Sequence, residues 1–202
     1  MRIVLFFAEC IIYSVDFDKF RTFNLNHQWN ETAKLLTDAA TNLQFAGADA
    51  ILLCANTAHR VAGEVQEAIN IPLIDIRDAT IKAIHQQGLK RVGLLGTVFT
   101  MEMEFYREKF TAAGIETIIP QHKTDRDYIE DTLLHELGKG IIRLTTKAAY
   151  LKIIDELIAK GAEGIILGCT EIPLLISEDD LSIPSFNTTK IHVLAAVDFA
   201  LS

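Results

Sequence analysis

Cysteine is scarce in this sequence: three residues in 202, Cys10, Cys54 and Cys169. So sparse and odd a count does not make a disulfide framework, and it fits a reducing cytoplasm. Metal-ligand spacing is missing too, with no Cys-x-x-Cys pair and no His-Glu-x-x-His. There is neither a Gly-x-Gly-x-x-Gly nor a Walker loop. No apolar run approaches the roughly 18 residues that a membrane-spanning helix requires. Positive charge is in deficit. Nineteen Lys and Arg stand against 27 Asp and Glu, a net charge of −8, which argues against nucleic acid or an anionic membrane as partner. No block of like charge is long enough to make a disordered tail.

What is present is the balance of a globular protein, half apolar and 23% charged. The N-terminus imitates a signal peptide, with Arg2 before six apolar residues. Glu9 interrupts that run, and no small-residue cleavage site follows. Residues 10–15, apolar and β-branched and ended by Asp16, predict a buried strand followed by a polar loop. Residues 30–45 carry a helical apolar face (Ala33, Leu36, Ala40, Leu43) with Gly47 just beyond. Strands are predicted at 50–54, 72–74, 91–95, 116–119, 164–167 and 184–186. Helices are predicted at 58–69, 75–87, after Thr100 as cap, at 127–137, at 145–160 and at 190–201. Strands alternating with helices make an α/β fold with parallel sheets, whose ligands sit outside the carboxyl ends of the strands.

The chain also repeats itself. Residues 47–56, GADAILLCAN, match residues 161–170, GAEGIILGCT, without a gap, and each is followed by an Ile-Pro that opens a short strand, at Pro72 and at Pro184. Two matched features at nearly one offset favour two related halves with a cleft between them over the alternative that parallel strands simply look alike. In this alignment Cys169 faces Ala55, while Cys54 faces Gly168. Neighbouring strand residues point to opposite faces, so Cys54 does not face what Cys169 faces unless a local bulge turns it.

Cys169 lies between Gly168, which permits a tight exit from the strand, and Pro173, which suits the first turn of a helix. A thiol at a helix N-terminus is expected to have a lowered pKa, supporting thiolate chemistry; a half-buried, inert cysteine is the alternative. Asn56 and Thr57 open a helix whose backbone donors suit a carboxylate, or they simply cap it. His59 can be a proton carrier, a surface residue or a capping residue. Gly96-Thr97, with Thr100, makes a third donor set at a strand end.

Four stretches in order, residues 13–17 (YSVDF), 56–59 (NTAH), 91–97 (RVGLLGT) with Thr100-Met101-Glu102, and 167–175 (LGCTEIPLL), resemble the aspartate/glutamate racemase family from about Glu9 to Ser202. The resemblance implies two pseudo-symmetric, Rossmann-like α/β/α halves with parallel sheets. These are residues 1–87 plus 188–202 and residues 88–187, with the active-site cleft between them. It implies a cofactor-independent amino-acid racemase in which two cysteines flank Cα, one taking the proton and the other returning it. The family members are commonly homodimers that act on a small amino acid. By position, Cys169 matches the second family cysteine. Asn56, Thr57, Thr97 and Thr170 match carboxylate-binding positions, and Arg21 and Lys139 lie where cations recognise an acidic side chain. The first family cysteine falls on Ala55, with Cys54 beside it. The family's opening strand and Gly-Gly-Met loop are not seen before residue 10, so the first half is expected to be N-terminally truncated.

Overall fold

The computed structural model describes residues 9–202. Asp16 opens the first helix, α1 (Phe17–Leu25), its carboxylate accepting from the Asp18 amide at 3.0 Å and from that of Lys19. The segment from 17 to 25 is therefore a capped helix rather than the polar loop expected from the sequence. Residues 10–15 are not a buried strand either. They run as irregular chain, with Ile12 88% exposed. Apolar, β-branched composition makes a strand only where a neighbouring ladder has free donors and acceptors, and the sheet described below ends elsewhere.

Helix α2 (Trp29–Phe45) turns its buried face, Thr32, Leu36, Ala39 and Ala40, toward the 51–69 segment. The run expected as a strand at 50–54 makes a single parallel bridge, Ile51 to Leu73. It is held by the Ile51 amide on Pro72 O and the Ile74 amide on Ile51 O, both 2.9 Å. A 3-10 turn, Thr57–Val61, then leads into α3 (Ala62–Glu67). Asp75 caps α4 (Ile76–Gln86).

The sheet belongs to the following hundred residues. Strand β1 (Arg91–Gly96) leads through α5 (Val98–Glu102) and α6 (Glu104–Ala112) to β2 (Glu116–Ile118). Helices α7 (Lys123–His135) and α8 (Leu144–Ala159) return the chain to β3 (Gly164–Gly168). The short α9 (Ile172–Leu175) precedes β4 (Ser185–Asn187), and α10 (Thr188–Ala200) closes the fold. All pairings are parallel, in the order β2-β1-β3-β4. The four strands expected in this region all form.

Strand alternation gives the sheet two buried faces. Leu95, Ile165 and Leu167 pack against Ile129 and Leu133 of α7 and Tyr150, Ile154 and Leu157 of α8. Val92, Leu94 and Ile166 point the other way, onto Ile81 and Ile84 of α4 and Tyr106 and Phe110 of α6. Each such large side chain contributes about 1.5–3 kcal/mol by leaving water, so helices cover the sheet on both sides. Among the described residues, no helix is long and apolar enough to cross a membrane.

Candidate active site

The chain leaves β1 for β2 on one side of the sheet and later enters β3 on the other side of β1. The crevice outside the carboxyl ends of β1 and β3 is therefore the point where the winding reverses, where open α/β sheets bind ligands. Gly96 and Gly168 pair in register there. A Cβ on Gly168 would lie 2.7 Å from Leu95 O, and one on Gly96 2.9 Å from Gly168 O. The floor of the crevice is bare backbone because no side chain fits.

Above this floor lies a cavity of about 260 Å³. Of the residues singled out by the sequence, Asn56, Thr57, Thr97, Cys169, Thr170 and Arg21 line it, together with Ala55. Phe17, Phe20 and Leu25 from α1, Phe99 from α5 and Leu133 and Leu134 from α7 supply its apolar wall, and Glu130 and Glu171 also reach it. Cys54 and Lys139 are not among the lining residues. Cys54 is exposed and lines a neighbouring apolar cavity of about 240 Å³, walled by residues such as Leu36, Ala40 and Leu53. Lys139 is exposed in the 3-10 turn Leu137–Lys139, and it is the preceding Gly138 that touches the site.

The donors are pre-arranged. The Thr57 and Thr97 hydroxyls are 2.9 Å apart, and Thr100 Oγ1 lies 3.1 Å from Thr97 and 3.5 Å from Thr57. Thr97, rather than Thr100, caps α5, accepting from the Thr100 amide at 3.2 Å. Thr100 is instead wholly buried beneath the other two hydroxyls. Asn56 is pinned by its Nδ2 donating to Thr188 Oγ1 at 3.0 Å and its Oδ1 accepting from Tyr106 OH at 3.3 Å. Thr188 in turn donates to Leu167 O at 2.9 Å, tying the 56–57 corner to the end of β3. Arg21 makes no ion pair among the described residues. Glu130 holds the Val98 amide at 2.8 Å.

Cys169 differs from its sequence-based expectation. Its thiol is pushed far up, first by burial and then by the negative charge of Glu171, to which the sulfur donates at 2.9 Å. A lowered pKa from a helix N-terminus does not result. The helix that follows is only four residues long, and a carboxylate stands at its N-cap position.

His59 is neither a surface residue nor a capping residue. It is 1% exposed, its Nδ1 donating to Ala55 O at 2.9 Å and its Nε2 accepting from the Ile76 amide at 3.1 Å. Those two partners fix a neutral ring, and burial lowers its pKa to about 4. The nearby Asp75 carboxylate is held below the usual range despite its own burial, chiefly by its hydrogen bonds to Arg77. Among the described residues no group of three or more His, Cys, Asp and Glu is placed to hold a metal ion.

Glu130, Glu171 and the aromatic wall escaped the sequence reading. Glu171 carried a signal, two residues from Cys169 in the same motif. Glu130 carried none, because it reaches the cavity from the middle of α7 through tertiary packing alone.

A family model described as Asp/Glu/Hydantoin racemase matches residues 11–196. A crystal structure of a protein from Yersinia pestis, assigned to the Asp/Glu racemases, superposes with a TM-score of 0.88 at 46% identity, covering 95% of this chain and 84% of that one. An aspartate racemase homologue from Pyrococcus horikoshii superposes with a TM-score of 0.85 at 35% identity, covering 98% of this chain and 85% of that one. The broad-specificity amino-acid racemase RacX of Bacillus subtilis is 27% identical over 183 residues, 91% of this chain and 78% of that protein.

Proposed function

Because the chain belongs to the Asp/Glu/Hydantoin racemase family, we propose that it moves the Cα proton of a free amino acid without a cofactor, with Cys169 as the acid/base group. It would do so in the cytoplasm as a homodimer. The observation that carries this reading is that Cys169 shares one cavity with Asn56, Thr57, Thr97 and Thr170. These donors suit an α-carboxylate. When a thiolate takes the Cα proton, an S–H bond forms and the C–H electron pair spreads into that carboxylate. Donors already aimed at its oxygens stabilise the developing charge. Arg21 is the cation available to an acidic side chain; Lys139, outside the lining, is given no role.

One residue of the cavity favours a second reading. Ala55 lines it at the position where the family resemblance expects the first cysteine, and a methyl group moves no proton. One-sided transfer at Cys169, as in a decarboxylase or an isomerase, would exchange the Cα proton with solvent while inverting it slowly or not at all. The test is incubation with L- and D-aspartate, L- and D-glutamate and a panel of neutral amino acids in D2O, following Cα–H by NMR and the enantiomers by chiral chromatography. Exchange with inversion supports the racemase, and exchange on one face supports the second reading. No exchange with any amino acid sinks both. Sedimentation equilibrium at twice the mass of the 202-residue chain is expected, and a monomer would remove the dimer from the proposal.

A further inference from the structure

Cys169 and Glu171 are presented to the cavity by one tight turn. Ile172, wholly buried, anchors the turn, its amide donating to Cys169 O at 3.3 Å, while the Leu174 amide donates to Glu171 O at 3.0 Å. The two side chains meet at 2.9 Å, sulfur to Oε2, with the thiol as donor. Glu171 makes no ion pair among the described residues. A sulfhydryl in this state is no base, so its proton must leave the sulfur before a Cα proton can arrive. The other titratable groups nearby are already committed or unsuited. Glu130 of α7 holds the Val98 amide, the Tyr150 hydroxyl of α8 lies 3.0 Å from Thr132 Oγ1, and Arg21 of α1 is a cation.

We propose that Glu171 is the proton-holding partner of Cys169, a positioning residue that accepts the S–H proton and leaves a thiolate facing the substrate. In this step the S–H bond breaks, an O–H bond forms on Oε2, and the new carboxylic acid donates back to the sulfur. The pair carries one proton and one negative charge before and after, so no charge is created in a buried place; it moves from oxygen to sulfur. When the thiolate then takes the Cα proton, the pair holds two protons until one returns to carbon. The purpose assigned to the pair rests on the racemase reading, but the shared proton does not.

The test is labelling of Cys169 by iodoacetamide across about pH 5 to 10, read by peptide-resolved mass spectrometry, in the wild type, Glu171→Gln and Glu171→Asp. While the pair holds one proton, the fraction present as thiolate and carboxylic acid does not depend on pH. The wild type is therefore expected to label at a pH-independent plateau before the rate rises in alkali. Glu171→Gln is expected to lose the plateau and to fall about tenfold per pH unit, because only the thiolate reacts. In alkali the same variant should label faster than the wild type, since the adjacent negative charge is gone. Glu171→Asp should keep a plateau. In parallel, Cα exchange in Glu171→Gln should drop by about 100-fold or more with little change in KM. A purely structural or repelling carboxylate predicts the opposite: removing it frees the thiolate, and exchange rises. A wild type that labels on a single limb, or Glu171→Gln that exchanges as well as the wild type, overturns the proposal. If the wild type exchanges no amino acid, the racemase reading fails and the labelling profile alone decides the pair.

Discussion

Cys54 and Ala55 are neighbours in sequence and differ in reach. Both line the apolar cavity beside the site, but only Ala55 also lines the site itself. The internal repeat made this division legible, because it set Ala55 against Cys169. The state of Cys169 was only half legible: Glu171 stands two residues on in the same motif, but the contact between them depends on the course of the turn. Replacing Cys169 by Ser should lower Cα exchange by about 100-fold or more while a carboxylate ligand still binds; unchanged exchange would show that another group is the base. Ala55→Cys should raise the rate of inversion roughly tenfold or more relative to exchange by supplying the second face. Cys54→Ser should leave both rates as they are.

Apolar runs of similar composition take two different forms in the fold. The runs at 91–96, 116–118, 164–168 and 185–187 are strands because each finds a parallel neighbour and a helix on its faces. The run at 10–15 reads just as apolar and is not a strand, and that at 50–54 makes one bridge. Composition reports the wish to leave water, whereas a ladder needs a partner that composition does not record. Helix α1 was missed because its start is written in one residue, the Asp16 cap, rather than in a long periodic run. The β1 and β3 ends offer a direct check on the bare-backbone floor. Gly168→Ala places a methyl 2.7 Å from Leu95 O, which backbone cannot yield cheaply. A loss of about 1–3 kcal/mol in urea unfolding is expected, together with impaired exchange as the floor shifts. An unaltered midpoint would mean that the strands part without cost.

Across the whole molecule, acid sensitivity is set by two partnered groups, His59 and Asp75. The pKa of His59 is about 4 in the folded chain against an ordinary 6.5, so between those values the unfolded chain binds a proton that the folded chain refuses. Stability should be full above about pH 6.5, fall as pH drops toward 4, and lose at most about 3 kcal/mol from this group. Asp75, held below its ordinary 3.8, acts in the same direction at lower pH: its contribution is present above that value and is lost as pH falls beneath it. Urea midpoints at pH 7 and pH 5 check this, and His59→Gln should flatten the slope between them. The position of His59 has a further result. The 51–74 region has only one backbone bridge, and beyond it the imidazole spans from Ala55 O to the Ile76 amide. A ladder can slip by one residue and re-form, because each rung resembles the next. A ring with two nitrogens at fixed separation fits only one pair of partners, so this side chain locks the alignment of the two segments, and with it the placing of Asn56 and Thr57, where repeated hydrogen bonds would leave a choice.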